Sequence, residues 1–370
     1  MFRFLHSSDL HLGKPFGRFS GDLPALLREA RYGALGRLAE AARQGGASAI
    51  LLAGDTFDAE TPAPATVRHA LQAIAAADDL TWVMLPGNHD SLAALDLWRR
   101  VAADAPANLV VPTDAEPIVL GEAHVLPAPC TARRPGRDLT AAFDRATPEG
   151  SLRIGLAHGA VTEFSEEGNA ALIPPERADR SGLVYLALGD WHGQTRIGAR
   201  TWYSGTPEAD SFKHDAQLAA LLVEIAGPAA ELKVAPVQTG VYRWASAAPD
   251  LRADDDVEAR LAALLPPPAE RRRTLLRFRP TGRLHLCGRT LLETAARAVA
   301  DDFAWFERDL SGLAVQHDVT DLDQIDRAGA LRRAAEALWA EAEAPDLTAE
   351  ERAIAEAALA RLYALASEVA

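Results

Sequence analysis

From residue 1 to about 225 the chain alternates short apolar runs, rich in Val, Ile and Leu, with amphipathic stretches of Ala, Leu and Arg. Short apolar runs bounded by Gly, Pro, Asp or Ser predict buried strands, and apolar positions recurring every turn predict helices. The first strand is predicted over 2–8. Leu23, Leu26, Leu27, Ala30, Ala34, Leu38 and Ala41 then keep the helical period, with Asp22 as cap and Gly45-Gly46 as stop. A buried strand over 48–53, a helix over 64–77, a strand over 81–85 and a helix over 91–105 capped by Ser91 come next. Further strands are predicted over 118–126, 152–157, 183–188, 201–204 and 218–225. Polar, loop-rich insertions separate them over 133–150 and 162–182. Strands and helices in this alternation predict an α/β domain with covered sheets.

After about Thr239 the texture changes. An acidic helix-like run (254–265), a Pro266-Pro-Pro break, a strand-like 274–286, a helix over 290–300 and a strand near 312–317 predict a small α/β cap. From Asp321 on, nearly everything is Ala, Leu, Glu and Arg, split at Ala344-Pro-Asp-Leu-Thr into two helices. Thr348 followed by Glu351 reads as a capping box. The predicted organisation is therefore a domain over 1–239, a cap over 240–320 and a helical hairpin over 321–370. No internal repeat at a solenoid period is visible.

Length and charge narrow the function classes. At 370 residues the chain allows about two to three folding units. With 38 basic against 52 acidic residues it carries a net charge of -14. Such a surface repels phosphate, so any nucleic-acid binding must come from a local patch, a metal site or a partner. Cys130 and Cys287 form no disulfide framework and no zinc spacing. The N-terminus lacks signal-peptide regions and no apolar run approaches the length of a membrane span, so the expectation is a cytoplasmic protein without membrane contact.

Residues able to bind metal recur where predicted strands end. They are Asp9-Leu-His11 after the first strand, Gly54-Asp55-Thr-Phe-Asp58 after the second, Gly87-Asn88-His89-Asp90 after the third, His158-Gly159, and Gly189-Asp190-Trp-His192-Gly193. Open α/β sheets bind ligands beyond the carboxyl ends of their strands, so five such ends can converge on one site. If the chain stays extended, Asp9 and His11 share a face. Carboxylate, imidazole and amide donors without thiolate suit Mn²⁺, Fe²⁺ or Zn²⁺. Two such ions about 3.5 to 4 Å apart clamp the attacking and leaving oxygens of a phosphoryl transfer. A bridging carboxylate is needed, and Asp55 is the best placed.

In this order the five motifs resemble the full set of the calcineurin-like metallophosphoesterases. The opening Phe4-Leu-His-Ser-Ser-Asp-Leu-His-Leu-Gly with Gly-Asp-Thr-Phe-Asp resembles in particular the SbcD-type DNA repair exonucleases. The resemblance covers roughly residues 1 to 225. It implies a four-layer α/β/β/α sandwich of two mixed sheets with a small α/β cap and C-terminal helices. It also implies two divalent ions, foremost Mn²⁺, with Fe²⁺ or Zn²⁺ as alternatives. Asp9, His11, Asp55 and His192 would hold one ion, and Asp55, Asn88, His158 and Asp190 the other. His89 would stabilise the transition state or protonate the leaving oxygen without binding metal. The family pattern has histidine where this chain has Asp190, a shorter and negatively charged ligand. DNA and an SbcC-like coiled-coil ATPase are the implied partners, and a second copy of the chain is a further candidate, since closed dimers are common.

The remaining residues leave alternatives open. Asp58 and Asp90 either cap the next helix or orient a ligand. His6 reads as buried or paired, and His69, His124, His214, His285 and His317 as ordinary. The loop 203–212 either closes the edge of the site or is a simple turn. Arg271, Arg272 and Arg273, with Arg277, Arg279, Arg283 and Arg289, are either a solvated face or a DNA-backbone patch. Leu331, Ala335, Leu338 and Trp339 predict a packed hairpin, or else a docking surface for the ATPase. A small-molecule phosphodiesterase and a weakly active scaffold subunit are the competing functions.

Overall fold

In the computed structural model, which describes residues 1–161, 172–213, 219–228, 231–316, 325 and 329–369, the apolar runs of the first half become two six-stranded sheets. His214 and His317 lie outside the described residues. The chain divides into two compact units, Met1–Arg243 and Trp244–Ala370.

In the first unit one sheet runs β12-β11-β1-β2-β3-β4, formed by Leu232–Gln238, Ala219–Ile225, Phe2–Ser7, Ala49–Leu52, Thr81–Met84 and Leu109–Val110. Strands β1 to β4 are parallel, and β11 and β12 add antiparallel pairs at one edge. The other sheet runs β5-β6-β7-β8-β10-β9, formed by Ile118–Leu120, Ala123–Ala128, Leu152–His158, Tyr185–Gly189, Thr201–Tyr203 and Thr195–Arg196. Its centre, β6-β7-β8-β10, is parallel.

Side-chain alternation along these strands builds the layers. Phe2 and Phe4 of β1, Leu51 of β2, Val83 of β3 and Tyr185 of β8 meet between the sheets. Leu5, Ile50, Leu52, Trp82 and Met84 face the other way, onto helices α1 (Leu23–Gln44), α2 (Pro64–Ala75) and α3 (Leu95–Asp104). Leu186 and Leu188 face outward with Phe143 and Ala178, from a 3₁₀ turn over Leu139–Asp144 and the short helix α4 (Arg177–Arg180). The result is two mixed sheets between helical layers. Parallel strands end at a common edge, so the ends of β1, β2, β3, β7 and β8 are brought together there.

Several elements differ from the sequence expectation. The helix predicted from Ser91 starts at Leu95, because Ser91 is buried and its carbonyl accepts from the Trp98 indole. Asp22 precedes α1, but its side chain makes no cap bond; Pro24 in the first turn and the Asp22 carbonyl serve instead. The run 118–126 is a hairpin of two strands turning at Gly121, whose φ is 61°. In the second unit 274–286 divides at Pro280 into Thr274–Phe278 and Thr281–His285. Strand β12 was not expected, since its exposed edge position leaves it with little apolar pattern.

The second unit holds two three-stranded sheets and the helix Leu286–Ala300. The terminal helices Ala330–Glu343 and Ala349–Val369 share a core with Leu286 through Ala335, Leu359 and Tyr363. Leu338 and Trp339 pack against that core, whereas Leu331 is exposed, a correction to the expected stripe. The capping box is formed: Thr348 N donates to Glu351 Oε2 at 2.8 Å and Glu351 N to Thr348 Oγ1 at 3.2 Å. Both cysteine thiols are free. No described helix is long and apolar enough to cross a membrane.

Candidate metal centre

The strand ends do not reach the site as extended chain. Asp9, His11, Asp55 and Asp190 have φ of 55°, 43°, 54° and 103°, and they are four of the five described non-glycine residues with positive φ. That conformation is costly for residues with a Cβ and concentrates where function over-determines it. The expected shared face of Asp9 and His11 is thus replaced by two left-handed turns, pinned by Asp9 N on Gly54 O (3.1 Å) and His11 N on Asp55 O (3.0 Å). Crowding explains two glycines: a Cβ on Gly54 or Gly87 would come closer than 3.0 Å to His158 Nδ1 or Asp55 Oδ1, respectively.

Asp55 divides its carboxylate. Oδ1 accepts His89 N at 2.9 Å, which fixes the plane of the group. Oδ2 then lies 3.7 Å from His11 Nε2 and 3.4 Å from His158 Nε2, between two groups of donors. On one side Asp9 Oδ1 stands 3.9 Å from His11 Nε2 and 3.8 Å from His192 Nε2. On the other, Asp190 Oδ1 is 3.7 Å from His158 Nε2 and accepts Asn88 Nδ2 at 3.0 Å. The other Asp9 oxygen accepts Ser8 Oγ at 2.5 Å, and the Asp190 amide also donates to the Asp9 carboxylate.

The rings are oriented from behind. His158 Nδ1 donates to Ala53 O at 2.8 Å, His192 Nδ1 faces Asp210 Oδ1 at 3.2 Å, and His11 Nδ1 lies 3.3 Å from Asp58 Oδ1. Each arrangement turns Nε2 inward. His11 and His192 thereby bring two Nε2 atoms to 3.2 Å, a separation that two lone pairs tolerate only around a shared proton or cation. His158 Nε2 and Asn88 Oδ1 are buried without hydrogen-bond partners. Buried polar atoms are ordinarily paired, so these orphans and the converging carboxylates fit a pair of divalent cations. Asp9, His11 and His192 form one group of ligand atoms within 4.8 Å of one another, and Asp9, Asp55 and His158 a second.

His89 donates from Nδ1 to Asp58 O at 2.9 Å and packs edge-on against His11, with ring centroids 4.9 Å apart. Its approach to His11 and Asp58 forms a third such group, which these contacts account for. Asp58 and Asp90 cap no helix; Ala63 and Ala94 occupy the cap positions of α2 and α3. Asp90 instead accepts Phe57 N at 3.0 Å and Gly87 N at 2.7 Å, bracing two of the ligand turns.

Charge is balanced locally. Burial would raise the Asp55 carboxyl, but His158, His11 and His89 outweigh it and hold it below the usual carboxylate range. Burial would lower His158, yet Asp55, Asp9 and Asp190 raise it well above its ordinary value. Burial raises the Asp190 carboxyl, with Asp9 and Asp55 adding to the effect against His158. Burial, reinforced by Asp55, pushes Asp90 to about 7. The pocket thus favours positive charge among its carboxylates.

Sequence reasoning missed Glu208 and Asp210, both buried in the loop 203–212. Their signal was weak, two acids in a segment of otherwise small or apolar residues. Thr206 Oγ1 ties the same loop to Asp9 O at 2.9 Å. Arg271, Arg272 and Arg273 lie in the second unit. Arg271 pairs with Asp302, Arg277 with Glu307, and Arg279 with Glu307 and Asp309, while Arg272 and Arg273 are exposed.

The chain is similar to several known proteins. The Uncharacterized metallophosphoesterase YhaO of Bacillus subtilis (strain 168) is 27% identical over 241 residues, covering 60% of this chain; the chain spans 57% of that protein's length. The crystal structure of TT1561 of Thermus thermophilus is 12% identical, covering 64% of this chain and 98% of that one, with a TM-score of 0.41. The model of the family described as Calcineurin-like phosphoesterase matches residues 2–170. That family implies metal-dependent hydrolysis of phosphoesters. Over this match, somewhat less than half of the chain, the sequence and its converging strand ends are similar to the calcineurin-like phosphoesterase family.

Proposed function

We propose that the protein is a two-metal phosphodiesterase acting on DNA. The observation that carries the reading is the single Asp55 Oδ2 set between two groups of oriented donors. Asp9, His11, Asp55 and His192 would hold one ion, and Asp55, Asn88, His158 and Asp190 the other. When bound, such ions polarise phosphoryl oxygens and supply a nucleophilic hydroxide near neutral pH. Mn²⁺ is the favoured metal on the oxygen-rich donor set.

The chain's own groups do the rest. Gly54 and Gly87 leave the room that the His158 ring and the Asp55 carboxylate occupy. His89, held through Nδ1 by the Asp58 carbonyl, has Nε2 left to act on the substrate. Protonated, it stabilises the equatorial oxygens and passes its proton to the leaving oxygen. Asp190 brings a carboxylate where a histidine would be neutral, which weakens the pull on substrate electrons at that ion.

DNA as substrate rests on the resemblance of the opening motifs to SbcD-type exonucleases and on a second unit that a small-substrate hydrolase does not need. Within that unit Arg271 and Arg277 are largely engaged by acids, so Arg272 and Arg273 are the better DNA contacts. An SbcC-like ATPase is the proposed partner, docking on the terminal helices, where Leu331, Ile354 and Leu365 are exposed.

Mn²⁺-dependent digestion of end-labelled single- and double-stranded DNA, beside a chromogenic phosphodiester, tests the reading. We expect His89→Ala to abolish cleavage with both ions retained, and Asp190→His to keep or raise it. Hydrolysis of the small diester with DNA left intact would favour the small-molecule alternative. One ion and no turnover in wild type would favour the scaffold.

A further inference from the structure

Asp210 lies beyond the matched family segment and outside the strand-end motifs. We propose that Asp210 is the positioning residue for His192, holding the ring as its Nδ1–H tautomer so that Nε2 is presented beside Asp9 and His11. The proposal rests on the metal reading above. Its basis is geometric: Asp210 Oδ1 meets His192 Nδ1 at 3.2 Å, and its side chain is only 3% exposed. The other oxygen receives Lys14 Nζ at 2.6 Å and lies 3.7 Å from Arg31 Nη2. Arg31 is fully buried in α1 and donates through Nη1 to Glu208 O at 2.9 Å. The loop is clamped again where the Glu208 carboxylate accepts Val241 N at 2.8 Å and Tyr242 N at 2.9 Å.

Two cations on Oδ2 therefore leave Oδ1 as the acceptor that His192 meets. A carboxylate behind a ligating imidazole fixes its rotation and raises its basicity, and losing one commonly weakens metal binding about 10- to 100-fold. The competing role, a mere counter-ion for buried Arg31, would place no demand on the His192 tautomer.

Nitrogen NMR of the metal-free full chain, labelled with ¹⁵N-histidine and assigned through His192→Gln, separates the two. We expect wild-type His192 to carry a proton at Nδ1. Titration with Mn²⁺ should give two ions in wild type, with one of them bound about 10- to 100-fold more weakly in Asp210→Asn. Lys14→Met, which spares the bond to His192, should keep the tautomer. A wild-type ring without a proton at Nδ1 would overturn the proposal even if every Asp210 variant failed to fold. So would Asp210→Asn binding both ions as wild type does. A wild type that takes up no Mn²⁺ would instead defeat the metal reading itself, and with it the ligand role of His192.

Discussion

Acidification should loosen the packing of the two sheets through His6. Its ring sits in β1 between them, with Nδ1 bonded to Tyr185 OH at 2.9 Å and Nε2 to Leu188 O at 3.2 Å. Burial lowers its pKa to about 3, against an ordinary value of 6.5, with the Leu188 carbonyl opposing weakly. The folded value lies below the unfolded one. Stability is therefore complete above about pH 6.5 and falls as the pH drops, because only the unfolded chain takes up the proton. The loss approaches about 1.4 kcal/mol per pH unit, which gives about 2 kcal/mol by pH 5 and on the order of 5 kcal/mol by pH 3. Urea unfolding of wild type and His6→Gln in EDTA measures it, with amide exchange in β1 marking the transition of residues 1–243. The variant should be less stable at pH 7.5, since Tyr185 loses its partner, and the gap should close by about 2 kcal/mol at pH 5. A gap unchanged between the two pH values would mean that His6 takes a proton while buried, and the reasoning would fail.

Two further outcomes concern the site directly. Gly54→Ala must place a Cβ against His158 in a residue whose φ is 93°, so we expect a loss of about 1–3 kcal/mol and weaker Mn²⁺ uptake in titration. Gly136→Ala, at a φ of 67° but with open space around it, should cost about 1–2 kcal/mol at most and leave uptake intact. Mn²⁺ at about 100 times its dissociation constant should stabilise residues 1–243 by about 2.7 kcal/mol per ion, and EDTA should reverse it. A thermal transition indifferent to both would count against the paired-cation site.

The layers were legible because buried parallel strands read as apolar runs, and the convergence of the candidate ligands because those residues follow the runs at once. Legibility ended where a residue's partner lies far along the chain. Asp90 looks like a cap until it is seen holding Phe57 N, 33 residues away. Asp9 and His11 look extended until the amides they donate to Gly54 and Asp55 are known. Asp210 has only a weak local signal, since Lys14 and Arg31 come from the start of the chain and His192 from another turn. Thr348 and Glu351, three residues apart, needed no distant knowledge, and their capping box was readable outright.

Asp9 and His192 stand at opposite ends of a stretch of 184 residues, and both sheets must be closed before they share a point in space. A nascent polypeptide emerging from the ribosome therefore carries no working centre until its last contributor has left the tunnel. The loop that carries Asp210 and strand β11, which pairs with β1, follow His192 in the chain, so this cluster of side chains is among the last features of residues 1–243 to be assembled.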